Sequence, residues 1–156
     1  YGLKEFFSAC RASGVDGVIV PDLPLEESSE LIRAGSAAGV ATIFLVAPTS
    51  TPKRVKDIAK KSKGFIYYVS LTGVTGARRA LPVDIPANIR RIKAVVDKPV
   101  AVGFGVSNAS QAAALAKVSD GVIVGSAIVK MVGEKKDAVR RISRFAGQIA
   151  KAVHNA

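Results

Sequence analysis

The sequence holds one cysteine, one histidine and no apolar run long enough to cross a bilayer. Cys10 has no second cysteine to pair with, which excludes a disulfide framework, and its place on the apolar side of a helical pattern reads as a small core residue. No stretch approaches the roughly 18 to 20 apolar residues of a membrane span. The opening "GLKEFFSACRASG" lacks the basic, apolar, small-residue order of a signal peptide, so a cytoplasmic chain with no membrane partner is expected. His154 lies two residues from the end and reads as a tail residue, not a general base, and no metal ligand set is expected.

Acidic residues are also scarce: 23 Lys and Arg against 12 Asp and Glu leave a formal charge of +11. Such an imbalance can mark a nucleic-acid binder. Here the basic residues fall in "PKRVKDIAKKSK", "NIRRIKAVVDK" and "KKDAVRRISRFAGQIAK", interleaved with apolar positions at helical spacing and with no aromatic stacking surface. They read as solvated outer helix faces, so no nucleic-acid partner is expected, and anionic substrates or an acidic partner remain open.

Five β-rich runs stand out, each almost continuously apolar as a strand covered on both faces should be: 16–21, 41–48, 64–70, 98–104 and 120–125. Helical segments separate them, with Pro52 and Pro86 near helix starts and Gly14 and Gly39 where helices stop. Strand and helix alternate with no Asn-Gly hairpin dipeptide, which implies a parallel sheet of right-handed βαβ units. A dinucleotide-binding sheet would put its glycines after the first strand, but that strand ends "VPDLPLEE". The Gly-rich turns follow the last two strands, where barrels often build a phosphate site.

The fold class expected is therefore α/β, a (β/α)8 TIM barrel of which residues 1–156 supply about five strands and their helices as one C-terminal portion of a single domain. Three βα units would be wanting from the front, and the chain falls short of the roughly 250 residues typical of the fold. Tyr1 is not an initiator methionine and the chain opens inside a helix, which supports a partial chain. A five-stranded piece would leave its first and last strands unpaired at their outer edges. Inward side chains such as Val18, Val20 and Val122 would be exposed, and the isolated chain would associate.

In "GFGVSNASQ", Gly103 and Gly105 let the backbone approach an anion without a Cβ in the way, and Ser107 and Asn108 can cap the next helix. Gly125 and Ser126 repeat the device in "GSAIV". Two such turns on adjacent strands point to one phosphate, whereas the plainer alternative is that the glycines only permit tight turns. The long segment "SLTGVTGARRALP" (70–82) reads as a closing lid or an ordinary surface loop.

"VDGVIVPDLPLEE", "APTST", "GFIYYVSLTGVTGAR", "KPVAVGFGVS" and "DGVIVGSAIVK" together resemble the C-terminal part of the tryptophan synthase alpha subunit family. The resemblance implies retro-aldol cleavage of indole-3-glycerol phosphate to indole and glyceraldehyde 3-phosphate, a carbon–carbon lyase reaction of tryptophan biosynthesis. It implies that Gly76, Gly105, Gly125 and Ser126 contact the substrate phosphate, that Ile19, Leu45, Tyr67 and Phe104 line the indole pocket, and that Thr75 belongs to the closing loop. No cofactor is implied for this chain; pyridoxal phosphate belongs to a beta subunit, joined in an alpha2beta2 heterotetramer and faced by the segment from Asp22 to Glu27.

The family's catalytic acid and its partner aspartate have no counterpart in this sequence, so the chain alone is expected to be inactive. Asp22 is a weak catalytic candidate, with a structural role in its own or a neighbouring loop as the alternative. Glu26, Glu27 and Glu30 read as a solvated first helical turn. Two other functions stay open: a non-catalytic partial barrel that binds phosphate esters, and a stand-alone indole-3-glycerol phosphate lyase without a beta subunit.

Overall fold

The structure, a computed structural model, describes residues 1–69, 84–103, 105–134 and 137–156. Every β-rich run contains a strand: β1 (Gly17–Ile19), β2 (Ala41–Ile43), β3 (Leu45–Val46), β4 (Ile66–Val69), β5 (Val100–Gly103) and β6 (Gly121–Ile123). Among the described residues seven α-helices accompany them: α1 (Leu3–Ala12), α2 (Ser29–Ala38), α3 (Pro52–Lys61), α4 (Ile85–Lys93), α5 (Ala109–Ala116), α6 (Ser126–Gly133) and α7 (Ala138–His154). All strand pairs are parallel, in the orders β1-β2 and β3-β4-β5-β6. β2 and β3 are halves of one extended stretch broken at Phe44, whose carbonyl still accepts from the Tyr67 N–H at 3.1 Å. The two sheets therefore join as a single curved parallel wall, the five-strand part of a (β/α) barrel.

The helix ends follow from local chemistry. The Thr51 hydroxyl accepts from the Arg54 N–H at 3.2 Å with Pro52 opening α3, and Lys60 and Lys61 face the negative end of the same helix. α4 begins one residue earlier than its proline suggested, at Ile85. Gly14 and Gly39 both sit at φ 72°, the left-handed conformation that lets Val15 and Val40 N–H groups reach back to the Cys10 and Gly35 carbonyls, each at 2.9 Å. His154 is the last residue of α7 and exposed, helical rather than frayed.

Strand parity decides which residues meet the helices. Val46, Ile66, Tyr68, Val100 and Val102 pack with Val55 and Ile58 of α3, Ile89 of α4 and Leu115 of α5 in the main core. Phe7, Cys10, Leu31 and Val40 form a smaller core between α1 and α2, which confirms Cys10 as a packing residue. Val18 and Val20 pack against this second core and Val122 against the first. These three side chains therefore face the helices, contrary to the sequence expectation that they face inward. The inward set is the alternate one: Ile19, Leu45, Tyr67, Val69 and Ile123, with Ala101 and Gly103 between them.

The N-terminal end of the sheet carries a polar brace. One carboxylate oxygen of Asp120 accepts from the Lys93 ammonium at 2.7 Å and the other from the Val100 N–H at 2.8 Å. Partial burial alone would raise this carboxyl, but the Lys93 and Val100 donors together hold it below its ordinary 3.8. A group whose folded pKa is depressed stabilises the fold above its unfolded pKa and loses that contribution as pH falls through the folded value. The pair is two-fifths exposed, so solvent screening limits it to about 1 kcal/mol. Asp120→Ala is expected to lose about that amount in urea unfolding at neutral pH. The gap to the parent should begin to narrow below about pH 4 and close as the pH falls through the depressed folded value, and an equal gap across the whole acid range would mean that the charge is idle.

Candidate functional site

The open end of the site is set by polarity: the described strand pairs are all parallel, so the described segments after β1, β3, β5 and β6 leave the sheet at one rim. Register places Leu45 beside Tyr67, Tyr67 beside Ala101, and Val69 beside Gly103, with Gly103 beside Ile123 on the next strand. Ile19 ends β1 on the same face, 38% exposed. Three of the four apolar candidates, Ile19, Leu45 and Tyr67, thus share one inward surface. Phe104, the fourth, lies outside the described residues, as do Thr75, Gly76 and the whole 70–82 segment.

Tyr67 reaches across β5. A Cβ on Gly103 would lie 2.5 Å from the Tyr67 hydroxyl oxygen and 2.8 Å from the ring carbon that bears it, so glycine is what lets this ring lie over the strand. Gly103 therefore seats Tyr67. Burial pushes the Tyr67 phenol above its usual value, leaving a neutral hydroxyl on the inward face at physiological pH.

Gly105 and Gly125 each stand two residues beyond the paired Gly103 and Ile123, which end the adjacent strands β5 and β6. Gly105 adopts φ 72°, a conformation open to glycine. Gly125 precedes Ser126, the first residue of α6, with open space where its Cβ would be. The N-termini of α5 and α6 follow these turns, and their first N–H groups and positive dipole ends suit an anion.

The loop after Gly105 is fixed by a residue the sequence reading passed over. Gln111 is 7% exposed; its side-chain oxygen accepts from the Ser107 N–H at 2.9 Å and the Ser107 hydroxyl at 3.1 Å. Asn108 returns the arrangement by accepting from the Gln111 N–H at 2.9 Å. This is a variant of the capping box, signalled by "NASQ": Asn108 caps α5 as expected, while Gln111 reaches one residue further back than the N-cap, to Ser107.

Asp22 is exposed in the turn after β1 and has no hydrogen bond or ion pair among the described residues. Among the described residues it ties down no part of its own loop, and the neighbouring 70–82 segment that it was expected to fix lies outside the described residues. Glu26 departs from the expectation of a merely solvated carboxylate. It lies in a 3-10 turn, Leu25–Glu27, ahead of α2, and its two oxygens accept from both terminal nitrogens of Arg54, the longer contact at 3.1 Å. The Arg54 hydrogen bond, above all, holds the Glu26 carboxyl at about 2. Lys61 of the same helix donates to the Leu25 carbonyl at 2.8 Å. The basic face of α3 is in part a set of ties to the rim. Among the described residues no cluster of His, Cys, Asp and Glu could hold a metal, and no helix is long and apolar enough to cross a membrane.

The family model for the tryptophan synthase alpha chain matches residues 1–154. A tryptophan synthase alpha chain of Dehalococcoides mccartyi is 44% identical over 153 residues, covering 98% of this chain and 60% of that one. The corresponding protein of Erythrobacter litoralis is 47% identical over 156 residues, at 99% and 60% coverage. Among solved structures, tryptophan synthase of Mycobacterium tuberculosis superposes with a TM-score of 0.88 at 41% identity, covering 98% of this chain and 57% of that chain. A chain of the tryptophan synthase α2β2 complex of Pyrococcus furiosus does so with 0.86 at 39%, covering 96% and 61%. This chain spans about 60% of the length of the curated relatives it matches. A parallel (β/α) wall, an inward apolar face and glycine turns on the last two strands agree with these likenesses, and the chain belongs to the tryptophan synthase alpha chain family.

Proposed function

We propose that this chain carries the phosphate- and indole-binding side of an enzyme that cleaves indole-3-glycerol phosphate to indole and glyceraldehyde 3-phosphate in tryptophan biosynthesis. What supports the reading is an inward apolar row, Ile19, Leu45 and Tyr67, on a parallel wall whose last two strands are followed by the Gly105 and Gly125 turns. An indole ring needs a flat apolar face, and a phosphate needs unobstructed N–H groups. The substrate joins the two through a glycerol chain.

Breaking the carbon–carbon bond requires a proton delivered to the indole ring and another removed from the glycerol hydroxyl, by groups within hydrogen-bond reach. No carboxylate stands among the inward-facing residues Ile19, Leu45, Tyr67, Val69 and Ile123, and Asp22 lies out on the rim. The reading therefore assigns binding to these 156 residues and turnover to groups they do not contain. It further assigns a cytoplasmic location and a pyridoxal-phosphate-dependent beta subunit as partner in an alpha2beta2 assembly, met by the Asp22–Glu27 segment.

The absence of tryptophan makes the reading testable with little background, since indole fluorescence can be followed directly. An indole-3-alkyl phosphate is expected to bind at least about tenfold more tightly than glycerol phosphate or indole alone, each half adding its own contacts. Tyr67→Ala should weaken the indole compounds and spare glycerol phosphate. Equal affinity for glycerol phosphate and the indole ester would remove the ring site. It would leave a phosphate-ester binder.

A further inference from the structure

A cavity of about 450 Å³ lies between the turn after β1 and the segment joining β3 to α3, lined by polar Asp22, Ser50 and Arg54 and by apolar Phe44, Leu45 and Val69. Leu45 and Val69 belong to the inward face, so the cavity continues the proposed ring site outward. One of its walls is the Pro21–Leu25 turn. Little within the turn holds it: the Leu23 N–H donates to the Val20 carbonyl at 3.4 Å and the Glu27 N–H to the Pro24 carbonyl at 3.1 Å. Leu25 is anchored in the main core, and among the described residues the side-chain ties that reach the turn from another element come from α3. Arg54 grips both oxygens of Glu26, and Lys61, two turns along the same helix, donates to the Leu25 carbonyl, which also accepts from the Ser28 hydroxyl at 2.6 Å.

We propose that Arg54 and Glu26 are a positioning pair whose two-pronged clasp fixes the Pro21–Leu25 turn as the cavity wall and thereby sets how tightly an indole-type ring is held against Leu45 and Val69. The inference rests on the indole reading of the site. Geometry matters here more than charge, because a guanidinium presents a planar fork that matches a carboxylate at two points and an ammonium does not. An exposed ion pair adds little to global stability, so its loss should leave the fold intact and free the turn.

Arg54→Lys keeps the charge and removes the fork. Its melting temperature should match the parent, the Glu27 and Ser28 amides should exchange on the order of tenfold faster, and indole affinity should fall by about threefold to fivefold. The swapped pair, Glu26→Arg with Arg54→Glu, should recover most of both losses. Lys53→Gln, on the exposed side of α3, should change neither. Parent-like exchange and affinity in Arg54→Lys overturn the inference, as does faster exchange with unchanged affinity. Failure of the unsubstituted chain to bind indole at all sinks the functional reading and with it the proposed ligand. Normal indole binding with an indifferent Arg54→Lys sinks the clasp alone.

Discussion

Valine at position 105 is expected to lower glycerol phosphate affinity by about 100-fold and to cost the fold about 2 kcal/mol. The stability loss follows from φ 72°, where a β-branched residue is strained whatever space surrounds it. The binding loss follows from a different cause, since any Cβ there stands between the backbone N–H groups and the anion. The two effects can be separated. Asn tolerates the left-handed conformation, so Gly105→Asn should regain most of the stability and still bind poorly. Lys60→Ala, on the outer face of α3, should do neither. Titration calorimetry with glycerol phosphate, beside urea unfolding, reads both quantities, and parent-like affinity in Gly105→Asn would move the phosphate elsewhere.

The second large effect is expected at Gly103. A valine Cβ there would lie 2.5 Å from the Tyr67 hydroxyl, a distance that cannot persist. What yields is the ring, because it is the far end of a half-buried side chain on the open inward face, whereas β5 is held between β4 and β6. Gly103→Val should therefore keep the fold and lose about tenfold in indole affinity. Tyr67→Ala should lose a similar amount alone and add almost nothing in the Gly103→Val background, since both changes remove the same ring from the same place. Full additivity would mean that the two residues act separately.

Much of this architecture was legible because strands covered on both faces read as continuous apolar runs, and 16–21, 64–70 and 98–104 each delivered a strand. The same continuity hid the parity. In "DGVIV" nothing distinguishes the residue that meets a helix from the one that faces inward, and Val18, Val20 and Val122 were assigned to the wrong side. The glycine turns were visible, but Gly103 has a duty that depends on Tyr67, a residue 36 positions away. Gln111 was within reach, since "NASQ" spells a capping box. Arg54 and Glu26 were not. Their pairing spans 28 positions and depends on how α3 lies against the turn, whereas spacing along one helix identifies only its exposed face.

The outer edges of β1 and β6 are unpaired among the described residues, and both strands are cut from one pentapeptide, "DGVIV", at 16–20 and 120–124. Each edge is thus a mould for the other, with the same residues, the same length and the same direction. Contact between β6 of one copy and β1 of the next joins unlike surfaces, which leaves a fresh edge at either end and defines no symmetric stopping point unless the rotation closes a ring. The positive charge of every copy opposes such growth at a distance. Salt screens that opposition beyond about 10 Å at 0.1 M while leaving the strand edges unchanged, so for these 156 residues by themselves association is expected to rise with ionic strength, dilute buffer favouring separate copies and added salt favouring ribbons.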